Sequence, residues 1–266
     1  MFDSIAGDYD ALNHILSLDV DKIWRKKALK QIVDAPAPVQ VLDLACGTGD
    51  FSIAIAKALS RSHKRVGTPI EAHVKAPAKA PVEAQVTSTG FVTGDSGRSD
   101  LMTKGHVTGV DLSEGMLAVM REKVQKSGLT EMISIEEGDG ENLRFPDNTF
   151  DRVTIAFGIR NFENREKGLR EMLRVLKPGG RLVILELSRP ENKVIRWFYD
   201  LYFLHILPKV GGKVSGDKAA YAYLPASVAA FPGKKAFMAT MREASFRTVS
   251  HKAFTLGICR MYTGEK

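Results

Sequence analysis

The chain has 266 residues, 44% hydrophobic and 26% charged, with two cysteines and six histidines. That composition fits a single globular domain over 1–266 and excludes a disulfide framework. No apolar run reaches the roughly eighteen residues of a membrane span, Met1-Phe-Asp does not open a signal peptide, and the histidines lack metal-ligand spacing. The expectation is a cytoplasmic protein without a metal.

In chain order, the first strong signal is Val41-Leu-Asp-Leu-Ala-Cys-Gly-Thr-Gly-Asp50. Val41, Leu42 and Leu44 read as a short strand buried on both faces. Gly47 and Gly49 permit a sharp turn and close approach of a ligand. A helix from about Asp50 to Leu59 then aims free N–H groups at that ligand. The spacing is not G-x-G-x-x-G, so a dinucleotide is not expected. Asp43 and Asp50 would repel phosphate but suit an amine or a sulfonium, which points to S-adenosylmethionine. Thr48, Gly47 and Gly49 are then expected beside its amino-acid portion.

Between Leu59 and about His106 some forty residues exceed what a β–α–β link requires. Pro, Ala, Ser, Thr and Gly dominate this stretch of about 60–105, which reads as a mobile insertion. Val82–Val86 and Gly90–Thr93 have the pattern of a short hairpin.

A second strand, His106–Asp111, ends on an acid suited to ribose hydroxyls. Ser113 reads as the N-cap of a helix carrying Met116, Leu117, Met120 and Val124. A third strand from Ile133 runs into Gly138-Asp139-Gly140, where Asp139 and Gly140 suit an adenine. The fourth, Phe150–Ala156, leads into Phe157-Gly-Ile-Arg-Asn161. Pro178-Gly-Gly180 stops a helix before a fifth strand, Arg181–Leu187. Acids ending successive strands on one sheet edge indicate a cofactor crevice.

The net charge of +7 arises beyond the fifth strand, where residues 189–266 hold 13 Lys and Arg against 5 Asp and Glu. Within that region Asn192–Leu207 reads as a helix apolar on almost every side, which must bury itself in a core, a dimer or a lipid interface. The sharper alternative is a lid and substrate region over about 190–232. It would admit a polyprenyl tail, with Lys209, Lys213, Lys218, Lys234 and Lys235 near anionic headgroups. Nucleic acid is not expected, because the basic residues are not interleaved with stacking aromatics.

The chain resembles the membrane-quinone C-methyltransferases, which methylate the ring of demethylmenaquinone or a ubiquinone precursor. The resemblance is carried by Phe2-Asp-Ser-Ile-Ala-Gly-Asp-Tyr-Asp10, Leu42–Asp50, Phe145-Pro-Asp-Asn-Thr-Phe-Asp151, Phe157–Asn161, Arg174–Leu182 and Leu185-Glu-Leu-Ser-Arg-Pro190. It implies an α/β fold of the class I S-adenosylmethionine-dependent methyltransferases: Rossmann-like, with a seven-stranded, mostly parallel sheet and an antiparallel last strand, expected at Leu256–Tyr262. It implies S-adenosylmethionine as cofactor, a polyprenylated quinol as substrate and Tyr9 closing over the cofactor. It places Arg160 and Asn161 at the substrate. Ala156 stands where some members carry serine, so any contact there is from backbone.

Such chemistry needs the reduced ring, since loss of a phenolic proton pushes charge onto the carbon that attacks the methyl. The guanidinium of Arg160 is too weakly acidic to serve as a free base, but it can stabilise a phenolate or orient a water. Asn161 can hydrogen-bond a ring oxygen. His205 has the intrinsic pKa of a base and equally the surroundings of a core residue. An O- or N-methyltransferase of small molecules and a non-catalytic cofactor-binding scaffold are the other readings. Peripheral contact with the inner face of an anionic membrane and a homodimer are the expected associations.

Overall fold

The computed structural model describes residues 19–34, 39–66, 105–202 and 218–266. Tyr9, His205 and the Val82–Thr93 pattern lie outside those residues. So do most of the 60–105 insertion and residues 203–217 of the region read as a lid.

Among the described residues, seven strands form one sheet: β1 Gln40–Leu44, β2 His106–Asp111, β3 Ile133–Glu137, β4 Phe150–Ala156, β5 Leu176–Leu187, β6 Arg247–Phe254 and β7 Cys259–Glu265. Their order is β3-β2-β1-β4-β5-β7-β6. β2 and β4 flank β1 in parallel register, while β7 runs antiparallel to both β5 and β6. The order of the winding reverses between β1 and β4, so a crevice opens beyond their carboxyl ends.

Alternation along the strands divides the core. Val41, Val183 and Leu185 face one side, with Trp24 and Ile32 of α1 (Val20–Ile32), Ile55 of α2 (Asp50–Val66) and Leu117 of α3 (Glu114–Lys126). Leu42, Leu44, Leu182 and Ile184 face the other, with Leu169 and Met172 of α4 (Arg165–Val175). Helices on both faces explain why β1 is apolar in succession instead of alternating. The caps are local. Ser113 Oγ accepts from Met116 N over 3.2 Å, and Asn164 Oδ1 from Lys167 N over 3.0 Å. Asn192 Oδ1 accepts from Val194 N over 2.9 Å and so opens α5 (Lys193–Leu201). The chain continues through α6 (Lys218–Ala230) and α7 (Lys234–Glu243) before the last two strands.

Three boundaries differ from the sequence reading. The last strand begins at Cys259, not Leu256, because Leu256 has φ 57° inside the 3-10 turn Thr255–Gly257. β5 starts at Leu176, which pairs with Phe150, and the register then jumps to Arg152 opposite Arg181. Gly179, with φ 75°, absorbs that irregularity. α2 continues to Val66, past Leu59.

The candidate methyl-donor site

The turn after β1 is held from three sides. Cys46 N donates to Val110 O over 3.1 Å, and Gly49 N to Cys46 O over 3.0 Å. Gly47 N donates to Asp111 Oδ2 over 2.8 Å. Ala45, Gly47 and Gly49 all have positive φ. A Cβ at Gly49 would lie 2.4 Å from Met120 Cγ, so the turn rests directly on α3. The other Asp111 oxygen, Oδ1, accepts from Ser113 N over 2.9 Å. One carboxylate therefore ties the glycine turn to the start of α3.

Under the turn, Asp43 is 1% exposed and accepts from Ser52 Oγ over 2.6 Å. Burial pushes its carboxyl up to about 7, against the opposing pull of the Ser52 hydrogen bond and of Arg25. Asp50 is ion-paired with Lys123 and with Arg25, the latter at 3.9 Å. Thr48 is buried, and its hydroxyl accepts from Lys123 Nζ over 3.3 Å. Neither Asp43 nor Asp50 meets the cavity described next.

A cavity of about 350 Å³ opens at the strand ends, within the range of small-molecule sites. Gly47, Asp111, Asp139, Gly140 and Asn161 line it, as do Ala156 and Phe157; Thr48, Gly49 and Arg160 do not. Among the described residues its charged lining is Asp111, Asp139, Glu141 and Glu163, with no lysine or arginine. In a chain of net charge +7, this lining selects for a cation and against a phosphate. S-adenosylmethionine, with an ammonium, a sulfonium and ribose hydroxyls, fits that donor set. Asp139 Oδ1 accepts from Glu141 N over 2.8 Å and fixes the turn. A Cβ at Gly140 would meet Phe162 Cζ at 2.6 Å, so the Phe162 ring closes directly onto it.

The loop after β4 makes the opposite wall. A Cβ at Gly158 would lie 2.5 Å from the Ala45 Cβ, so this loop touches the glycine turn. Phe157 has φ 65°, and its ring lies 6.2 Å from that of Trp24 and 5.7 Å from the Arg25 guanidinium. Ile159–Asn161 forms a short 3-10 turn. Arg160, 9% exposed, is anchored within it. Its Nη1 donates to Glu186 Oε1 over 2.9 Å and to the Phe157 carbonyl. Its backbone N reaches Glu186 Oε2 over 3.1 Å, and its Nε reaches Ser227 Oγ over 3.3 Å. Among the described residues Nη2 makes no hydrogen bond. Asn161 Oδ1 accepts from Tyr223 Oη over 2.9 Å.

Glu186, Ser227, Tyr223, Glu141 and Glu163 were given no role from sequence. Glu186 carried a signal, a carboxylate inside the apolar run Leu182–Leu187, where burial demands a cation. The others carried none. Among the described residues, no group of three or more His, Cys, Asp or Glu is placed to hold a metal, and no helix is long and apolar enough to cross a membrane.

Comparison with known proteins gives this arrangement a family. The demethylmenaquinone methyltransferase of Bacteroides fragilis is 39% identical over 266 residues, covering 100% of this chain and 91% of its own length. The ubiquinone/menaquinone biosynthesis C-methyltransferase UbiE of Geobacter sulfurreducens is 42% identical, covering 100% and 87%. A solved SAM-dependent methyltransferase from Aquifex aeolicus shares the fold with a TM-score of 0.53 at 19% identity, over 90% of this chain and 88% of that one. The model of the ubiE/COQ5 methyltransferase family matches residues 1–266, and the chain belongs to that family.

Proposed function

We propose that this chain methylates a ring carbon of demethylmenaquinol, giving menaquinol in membrane-quinone biosynthesis. It is a C-methyltransferase that uses S-adenosylmethionine. The observation that carries the reading is the acidic cavity at the strand ends, whose described lining holds no lysine or arginine, in a chain matched end to end by relatives bearing that name. Bound there, the cofactor supplies an electrophilic methyl on a sulfonium.

The residues divide the remaining work. Asp111 receives the ribose hydroxyls, Asp139 and Gly140 the adenine, and the turn at Gly47, Thr48 and Gly49 the amino-acid end. Asn161 holds a ring oxygen of the quinol. Arg160 is held rigid by Glu186, and its positive charge favours the phenolate in a site of low dielectric. The phenolic proton goes to a water oriented by Arg160 or to His205, and Tyr9 covers the cofactor; His205 and Tyr9 lie outside the described residues.

The polyprenyl tail enters from the inner face of the membrane. α5 supports this: Val194, Trp197, Phe198 and Leu201, spaced on one helical stripe, are 66%, 61%, 60% and 40% exposed, while Tyr199 is buried. Lys193 and Arg196 flank the stripe. A homodimer burying the same stripe is the competing occupant.

The test is methylation in vitro. Purified protein is mixed with S-adenosylmethionine and chemically reduced demethylmenaquinone, and the quinone is analysed by mass spectrometry. One added ring methyl with the reduced substrate and none with the oxidised is expected. Cofactor binding without methylation of any quinol would favour a scaffold, and methylation on oxygen would favour an O-methyltransferase.

A further inference from the structure

We infer that Tyr223 is a positioning residue for the reaction, orienting the Asn161 amide through a clasp that α6 closes on the loop after β4. This rests on the reading that Asn161 meets the quinol. Tyr223 and Ser227 stand four residues apart on α6 and therefore share one helical face. They bond consecutive residues of the loop: Tyr223 Oη donates to Asn161 Oδ1 over 2.9 Å, and Ser227 Oγ accepts from Arg160 Nε over 3.3 Å. Ser227 in turn donates to Leu224 O over 3.0 Å, which fixes the direction of its lone pair.

The chemical consequence lies in the amide. An asparagine side chain offers an acceptor on one side and two donors on the other, and a flip of its last torsion exchanges them. A ring oxygen gaining negative charge needs the donors. With Oδ1 turned to the tyrosine hydroxyl, the amide of Asn161, a cavity-lining residue, is kept from flipping, and its N–H₂ group is held on the side away from Tyr223. Tyr223 is not itself among the lining residues, so it acts through Asn161.

Tyr223→Phe keeps the ring and removes only the donor. Transfer of a radiolabelled methyl to reduced demethylmenaquinone under single-turnover conditions keeps slow variants measurable. The expected result is a loss of about fivefold to tenfold in the transfer rate, the scale of one hydrogen bond, with KM for the quinol and affinity for S-adenosylmethionine close to those of the unmutated protein. In an Asn161→Ala background the same substitution should cost less than about twofold, because the group it orients is gone. An unchanged rate in Tyr223→Phe, or an equal loss in both backgrounds, overturns the inference. No transfer by the unmutated protein overturns the function beneath it, and this inference with it.

Discussion

The guanidinium of Arg160 and the carboxylate of Glu186 meet at 2.9 Å, with side chains only 7% and 0% exposed. The pair joins the loop after β4 to the end of β5, and the same carboxylate also receives the Arg160 and Leu187 backbone N–H groups. Breaking a buried pair from one side leaves the other charge uncompensated. Glu186→Ala should therefore cost about 3–5 kcal/mol of folding stability in urea denaturation. Glu186→Gln, which keeps an acceptor, should cost less. A loss below about 1 kcal/mol in the alanine variant is what an exposed pair would give, and it would contradict the burial described.

Two glycines with similar backbone angles separate strain from collision. Gly179 has φ 75° and nothing within 4 Å of a built Cβ, whereas Gly49 has φ 82° and Met120 Cγ at 2.4 Å. Gly179→Ala should lose about 1–2 kcal/mol from left-handed strain alone, with cofactor affinity intact. Gly49→Ala should add about 1–3 kcal/mol of overpacking and also weaken cofactor binding, since the turn must lift from α3. Calorimetric titration with S-adenosylmethionine, paired with thermal melts, distinguishes the two. Equal behaviour of the variants would mean that the turn does not rest on Met120.

Asp43 makes stability depend on pH in a direction opposite to that of an ion-paired aspartate. Burial raises its carboxyl from 3.8 to about 7 in the folded chain. Its favourable contribution is complete below the unfolded value and fades as pH rises through about 7. Across that window the folded state holds the extra proton, so this residue lowers stability with rising pH by up to roughly 4 kcal/mol. Asp43→Asn should flatten the profile between pH 4 and 7, as seen in urea denaturation at stepped pH. Parallel profiles for the two proteins would remove Asp43 as the source.

How much of this was legible in the sequence follows from the distance between partners. The β1 turn is written locally, in glycine spacing and apolar periodicity, and so, separately, is the Ser113 cap beside the acid that ends β2; the bond that joins Gly47 to Asp111 spans 64 positions and is not. Arg160 could be read as a charged residue beyond β4, but not as the partner of Glu186, 26 positions away. The Tyr223–Asn161 bond spans 62 positions and leaves no local mark. Asp43 and Asp50 were legible as acids beside the glycines, but only packing reveals that Ser52, Lys123 and Arg25 hold them. β6 could not be located from residues, since Arg247-Thr-Val-Ser-His-Lys-Ala-Phe254 lies at the sheet edge, largely exposed, and carries no apolar alternation.

The exposed stripe on α5 predicts a membrane readout. Each basic residue near an anionic surface contributes about 1 kcal/mol, and the attraction weakens as salt shortens the Debye length below ~10 Å. Sedimentation with anionic liposomes should therefore exceed that with neutral ones at low salt, with Trp197 emission shifting to the blue on binding. Trp197→Ala together with Phe198→Ala should reduce partitioning. Equal partitioning to both lipids, or a concentration-dependent dimer that buries Trp197 without lipid, would assign the stripe to another occupant.

The most direct measurement of the central claim is the quinone profile, by mass spectrometry, of a host strain lacking this chain. The account predicts that menaquinone disappears, that its demethyl form accumulates, and that the intact chain restores the methylated product while the Asp111→Ala variant restores less. A deletion strain with an unchanged menaquinone pool and no demethyl precursor would contradict it.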